Sequence, residues 1–124
     1  MKLPLLMEGM VKMLNLSAVL FGVAALGGLV LGVSGLRQKG LPMWLSLVHG
    51  LVAAAGLVTL IIGIVQGTAG PLLITSLVIF IIVALGGFVL FSYHLRGKTH
   101  PKGLIVIHAL AAIIAYVLLL IGIL

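Results

Sequence analysis

The sequence predicts an all-α membrane protein, a four-helix bundle whose helices run up and down across the bilayer. Hydrophobic residues make up 64% of the 124 residues, and charged residues make up only 6%. A soluble domain carries about 25% charged residues, so this chain lacks the side chains for a water-facing surface. Four long apolar runs fill most of its length and leave no room for a soluble catalytic domain.

The four apolar runs are predicted to be membrane-spanning helices. They cover residues 14–36, 44–65, 71–95 and 104–124, each long enough to cross a hydrocarbon core of about 30 Å. Within lipid the backbone must satisfy its own hydrogen bonds, and the alternating strands of a membrane barrel are missing. The short connectors predict antiparallel neighbours. Glu8, Lys12 and Asn15 share one helical face, so we expect the N-terminal stretch to lie flat on the membrane surface.

Basic residues predict the orientation in a bacterial-type inner or plasma membrane. The connectors after the first and third runs carry five cations, Arg37, Lys39, Arg96, Lys98 and Lys102. The opposite side has only Lys2 and Lys12, offset by Glu8. The positive-inside rule therefore places these two connectors in the cytoplasm and both termini outside. We assign the net charge of +6 to topology and lipid headgroups rather than to nucleic acid.

The second half of the chain repeats the first at a shift of 59 residues, without a gap. Between residues 21–65 and 80–124, 20 of 45 positions are identical. The match continues through the polar connectors, where chance similarity between apolar segments is not expected. The sequence therefore predicts one membrane domain, 1–124, made of two two-span repeats, 12–65 and 71–124. Both repeats would insert in the same direction, related by a pseudo-two-fold axis along the membrane normal.

Two equivalent histidines, His49 and His108, lie inside the second and fourth spans near their cytoplasmic ends. A stripe of small residues follows each of them at helical spacing, as is typical of the interior face of a membrane bundle. We therefore expect both imidazoles to point at the bundle axis from opposite sides. An ionisable side chain within a membrane indicates a functional site.

Two opposed neutral imidazoles suit the axial positions of a haem iron, which would make both histidines metal ligands. Glycines on the neighbouring spans would leave room for the macrocycle, namely Gly28, Gly32 and Gly87. The second nitrogen of each ring would bond to a carbonyl one turn back, that of Leu45 or Leu104. With no cysteine in the chain, a covalently attached c-type haem, a zinc–thiolate site and an iron–sulfur cluster are excluded.

Three further residues are expected at the cytoplasmic edge of this site. His94, Arg37 and Arg96 would contact the haem propionates or a redox partner, because guanidinium groups bind carboxylates well. Two axial histidines leave iron without an open coordination position. The chain would therefore be an electron-transfer protein or redox subunit rather than a stand-alone enzyme.

This arrangement resembles the bis-histidine transmembrane cytochromes b, including those of quinol-oxidising complexes and the ascorbate-type cytochromes b. The resemblance covers all four spans and is architectural, resting on His49, His108 and the glycine pairs at 27–28 and 86–87. It implies a non-covalent haem b and one-electron transfer with a quinol or protein partner, and it makes a quinone a candidate second cofactor. Those families usually carry two histidine pairs, whereas this chain carries one.

Two other functions stay open at the level of sequence. The first is a haem-free accessory subunit of a larger membrane complex, or a homo-oligomer, in which histidines bond across helices and glycines allow close packing. The second is a small transporter in which the membrane histidines carry protons or a metal; zinc would need a third ligand such as His94. The chain has no aspartate and no intramembrane glutamate, so a carboxylate proton relay has no residues.

Overall fold

The computed structural model describes residues 2–124, with the side chain of Lys2 outside the description. Four α-helices account for most of this range: α1 Lys2–Leu36, α2 Met43–Gln66, α3 Pro71–Leu95 and α4 Lys102–Ile123. All four are long and apolar enough to cross a membrane. The prediction of an all-α chain with four helices able to span a membrane is therefore confirmed, and the apolar helices indicate a lipid bilayer environment.

Prolines set the beginnings of three helices. Pro42 and Pro101 precede α2 and α4 in the extended conformation, with φ near −65° and ψ near +125°. Pro71 occupies the first turn of α3, where its missing N–H would have no intrahelical partner. Each of these three helices thus begins at or just after a proline, whose ring fixes the φ angle.

Helices α1 and α3 end in the same C-terminal motif. The N–H of Lys39 donates to the Ser34 carbonyl at 2.9 Å, and the N–H of Lys98 donates to the Tyr93 carbonyl at 2.9 Å. The residue before each lysine is left-handed, with φ of 56° at Gln38 and 63° at Gly97. These bonds satisfy carbonyls that the helix end would leave unpaired, which fixes where each connector leaves the bundle.

The expectation of a separate surface-lying N-terminal segment is wrong. Helix α1 continues without a break from Lys2, and Met10 and Leu14 are buried in the core, 5% and 4% exposed. Met10 packs on Gly67 at the end of α2, so burial of this face extends α1 beyond the first apolar run. Glu8 and Lys12 form an exposed ion pair at 3.4 Å on the opposite side of the helix.

The four helices close into a ring around one core. Each helix packs on two neighbours: α1 on α2 and α4, and α3 on α2 and α4. Leu60 and Leu119 are fully buried at the centre, and the rings of Phe21 and Phe80 stack across the diagonal between α1 and α3. The interior is thus filled midway along the bundle by apolar side chains.

Several contacts in the first helix pair recur in the second pair between residues 59 positions later. Ser17 Oγ donates to the Gly56 carbonyl at 2.9 Å, and Ser76 Oγ donates to the Ala115 carbonyl at 2.7 Å. Both serines are completely buried. Leu14 packs on Gly63 and Leu73 packs on Gly122 in the same way. The two serines lie outside the 45 matched positions, because they precede Phe21 and Phe80.

Candidate functional site

His49 lies in the interface between α1 and α2, on the glycine pair of α1. A Cβ added at Gly28 would lie 2.9 Å from Cε1 of His49, and one at Gly27 would lie 3.9 Å from its Nδ1. His49 Nδ1 donates to the carbonyl of Ala24 at 2.8 Å, because a carbonyl can only accept. The predicted bond to the Leu45 carbonyl is therefore wrong: the acceptor belongs to the neighbouring helix.

His108 occupies the equivalent place between α3 and α4 but is held less firmly. A Cβ added at Gly87 would lie 3.4 Å from Cε1 of His108, and one at Gly86 would lie 3.6 Å from its Nδ1. This Nδ1 is buried and meets no acceptor with the short distance and good alignment of the His49 bond among residues 2–124, although the ring interacts with the main chain of Val83. The predicted bond to the Leu104 carbonyl is absent, and the main-chain group that faces this ring is that of Val83 in α3, the counterpart of Ala24.

The faces that carry the two histidines are interior faces, as the small-residue stripes predicted. Further along these faces, Gly56 and Leu60 are buried in α2, and Ala115 and Leu119 are buried in α4. These residues are buried because small side chains allow neighbouring helices to approach closely.

The glycines expected to make room for a macrocycle instead make room for side chains of this chain. The imidazole rings lie beside Gly28 and Gly87, and a Cβ added at Gly32 would lie 4.0 Å from Cγ2 of Ile105 in α4. A ring seated on the backbone of the neighbouring helix leaves no slot for a flat tetrapyrrole at that glycine. A haem at this place would therefore require both imidazole rings to move away from Gly28 and Gly87.

A groove of about 340 Å³ lies beside His108, between α3 and α4. Apart from the imidazole its lining is apolar, and Ile82, Leu85 and Ile107 at its sides are more than half exposed. The groove therefore opens on the outside of the bundle, towards the expected lipid. His49 does not line it.

A transporter would need a polar route past the two histidines. The layer next to them towards the chain termini consists of the stacked rings of Phe21 and Phe80 and of the buried Leu60 and Leu119. Both buried serines there are already bonded to helix carbonyls. No group of three His, Cys, Asp or Glu side chains comes together among the described residues, so His94 does not complete a zinc site.

The other candidate residues lie at the connector end, formed by residues 37–42 and 96–101. His94 Nδ1 is hydrogen-bonded to Ser46 Oγ at 3.1 Å, and its ring lies 5.9 Å from that of His100. Burial lowers the pKa of His100, the charge of His94 lowers it further, and a main-chain hydrogen bond to Leu90 partly offsets both effects.

The two arginines predicted at this edge are placed differently from His94. Arg96 stacks over the ring of Tyr93, 4.7 Å from its centroid, and donates to the Ser92 carbonyl. Arg37 is exposed. Of the five cations expected at this edge, Lys39 and Lys98 line the cavity, together with His94 and His100 among other residues. The sequence pattern did not separate the lysines from the arginines, because both follow a helix end.

Comparisons with protein families, with curated proteins and with solved structures find no match to this chain. Function is therefore inferred from the side-chain geometry alone.

Proposed function

We propose that the chain is an up-and-down bundle of two copies of a two-helix unit, α1–α2 and α3–α4, inserted in the same direction. Paired contacts at the 59-residue offset support the repeat: the buried serine bonds, the leucine–glycine contacts and the histidine–glycine contacts. Because the first and third connectors hold most of the cations, they lie on the cytoplasmic side in this arrangement, with both termini outside.

For the activity itself we propose a haem-free accessory subunit that packs within the bilayer against a larger membrane partner. The observation that carries this proposal is the seating of His49 on Gly28, with its Nδ1 bonded to the Ala24 carbonyl. Glycine at position 28 leaves room for the His49 ring, and the bond from that ring joins α2 to α1. We call this contact the clamp; it accounts for both residues without a cofactor. Bonds of this kind contribute about 0.6 kcal/mol each in membrane proteins.

The α3–α4 groove is the surface that we assign to the partner. In the first repeat, a Cβ added at Gly27 would lie 3.8 Å from Cδ1 of Leu45, beside His49. In the second repeat, the equivalent Leu104 lines an open groove beside His108. The occupant that fits is an apolar transmembrane helix of another protein, because association in lipid depends on close packing rather than on hydrophobic burial.

Site-directed cross-linking tests this proposal, and the cysteine-free chain makes it clean. A photoreactive maleimide is attached to the cysteine of Leu85→Cys, at the groove. In a second protein it is attached to the cysteine of Leu26→Cys, at the equivalent and similarly exposed position of the first repeat. In native membranes we expect one discrete adduct from position 85 and none from position 26. Ala111→Phe, which fills the groove, should abolish the adduct. Equal adducts from both positions, or none from either, would refute the assignment.

A b-type cytochrome with haem on His49 and His108 is the second candidate. It is favoured by the Nδ1 bond of His49, which leaves Nε2 with a free lone pair, as histidines that bind metals commonly have. Haem binding would require both rings to leave the glycines beside them. Such a protein would exchange single electrons with a quinol or protein partner on the cytoplasmic side, and its absorbance spectrum would distinguish it from the accessory subunit.

A further inference from the structure

The two basic connectors line an open cavity of about 330 Å³ at one end of the bundle. Lys39 comes from the connector after α1, and Lys98 and His100 come from the connector after α3. His94, at the end of α3, completes the basic lining. Four side chains that are cationic or can become cationic therefore face one cavity of small-molecule size.

These cations have no acidic partner. The chain contains a single acid, Glu8, which pairs with Lys12 on helix α1 far from the connectors. Like charges held close together without a counter-charge repel one another, most strongly where water is partly excluded. An anion in the cavity would reduce that repulsion and would be held by its attraction to the surrounding cations.

Hydrogen bonds fix the main chain of the two lysines and the ring of His94, whereas the lysine side chains themselves are exposed. Both lysines occupy the same position of the same helix-end motif, where their N–H groups are anchored to carbonyls of α1 and α3. The His94 ring is fixed by Ser46, and the His100 ring meets it edge-on at 80°. Lysine is a frequent phosphate ligand, and a site whose residues are already positioned loses little entropy on binding.

We propose that this cavity binds a phosphate group, carried by an anionic lipid headgroup or by a soluble phosphate, between Lys39 and Lys98. His100 adds charge when protonated, so binding is linked to proton uptake by this residue. The other cations at this end, Arg37, Arg96 and Lys102, do not line the cavity, and Arg96 lies over Tyr93. The inference does not depend on the partner proposed for the α3–α4 groove.

The test measures binding of a fluorescent phosphatidic acid to the full chain in phosphatidylcholine nanodiscs, with inorganic phosphate as the soluble competitor. Lys39→Gln and Lys98→Gln should each weaken binding about tenfold, the usual effect of losing one charge-assisted bond. Lys102→Gln is the matched control, since it removes the same charge at the same end of the bundle but does not line the cavity. Thermal unfolding of each variant checks that the fold is intact.

The outcomes separate the two sources of phosphate. Retention of phosphatidic acid against excess inorganic phosphate identifies a lipid headgroup, and displacement identifies a soluble phosphate; both support the site. An effect of Lys102→Gln as large as that of Lys39→Gln would overturn it, because the attraction would then be a diffuse surface potential. Equal retention of phosphatidic acid and phosphatidylcholine by the unaltered chain would also overturn it.

A pH series adds an independent readout. Because burial lowers the pKa of His100 from its usual 6.5, this residue should strengthen the binding of phosphatidic acid only as the pH falls below about 6.5. His100→Gln should remove this contribution while leaving the affinity at pH 8 nearly unchanged, and the comparison of the two proteins cancels the titration of the phosphate itself. The same pH dependence in both proteins would show that His100 contributes no charge to the site.

Discussion

The ring of Phe21 stacks on the ring of Phe80 with centroids 3.7 Å apart and planes within 2° of parallel. The two residues are equivalent at the 59-residue offset and belong to helices on opposite corners of the bundle. A residue that stacks on its own equivalent lies at the axis that relates the two halves. In the proposed repeat, this aromatic pair therefore marks the pseudo-two-fold axis and fills the bundle between the histidines and the buried serines.

Truncating this pair should be among the most destabilising changes in the chain. We expect Phe21→Ala to lower the free energy of unfolding by about 3 kcal/mol, because it removes a buried ring and leaves a cavity. Phe88, which is 72% exposed, provides the control, since Phe88→Ala removes the same atoms from the outside of the bundle. Denaturation in mixed detergent micelles measures both. A loss at position 88 equal to that at position 21 would contradict the burial.

The buried serine bonds should contribute equally if the two halves are copies. Ser17→Ala and Ser76→Ala are each expected to cost about 1 kcal/mol of unfolding free energy, since each removes one interhelical hydrogen bond. Ser92→Ala is the comparison, because its hydroxyl bonds to Val89 within its own helix. If the losses of unfolding free energy in Ser17→Ala and Ser76→Ala differed by more than about 1 kcal/mol, the two serines would not have equivalent roles.

Gly28 should tolerate no side chain. A methyl group there would lie 2.9 Å from the His49 ring, so Gly28→Ala must displace the imidazole or break its bond to Ala24. We expect a loss of about 2 kcal/mol in unfolding free energy, from strain and the lost hydrogen bond together. At Gly50, where a Cβ meets nothing within 4 Å, alanine should stabilise the helix by about 1 kcal/mol. Equal changes in unfolding free energy for alanine at positions 28 and 50 would show that the His49 ring does not pack on Gly28.

The left-handed residues that end α1 and α3 should respond in opposite directions to substitution. Gln38 adopts φ of 56°, so Gln38→Gly relieves a strained conformation and should raise the unfolding free energy by up to about 1 kcal/mol. Gly97, at φ of 63°, should lose about 1 kcal/mol as alanine. Thermal unfolding in phosphate-free buffer measures both changes. Stabilisation by Gly97→Ala would show that the motif is not formed.

Stability should fall in acid because of His100. Its pKa in the folded chain is lowered, mainly by burial, so below about pH 6.5 the unfolded chain takes up a proton that the folded chain resists. Unfolding free energy is therefore lost as the pH falls from that value towards the lowered pKa. His100→Gln should reduce this acid sensitivity when melting temperatures are compared across the pH range in phosphate-free buffer. An unchanged acid slope would contradict burial of the ring.

The spans were predictable because hydrophobic length and proline positions are local properties of the sequence. Helix α3 begins at Pro71 and ends at Leu95, as its apolar run indicated. Helix α1 was predicted too short, since Glu8 and Lys12 suggested a boundary while Met10 and Leu14 on the other face pack into the core. Charge marks a face of a helix, whereas packing determines its length.

The candidate site was predictable only in part. The small-residue stripe identified the interior face that carries His49, but periodicity does not report which neighbour an imidazole contacts. Glycine at position 28 is compatible with a bound macrocycle or with a packed ring, and only the 2.9 Å approach of the His49 ring distinguishes the two in this structure. The joint cavity of Lys39 and Lys98 depends on how two distant connectors meet, which sequence spacing does not encode.

The absorbance spectrum of the full chain, purified from haem-replete cells, tests most directly whether His49 and His108 are clamps between helices or ligands of iron. The clamp predicts a colourless, folded protein whose melting temperature falls in His49→Ala while its visible spectrum stays blank. A Soret band with sharp reduced α and β bands, lost in either His49→Ala or His108→Ala, would contradict it and establish the cytochrome.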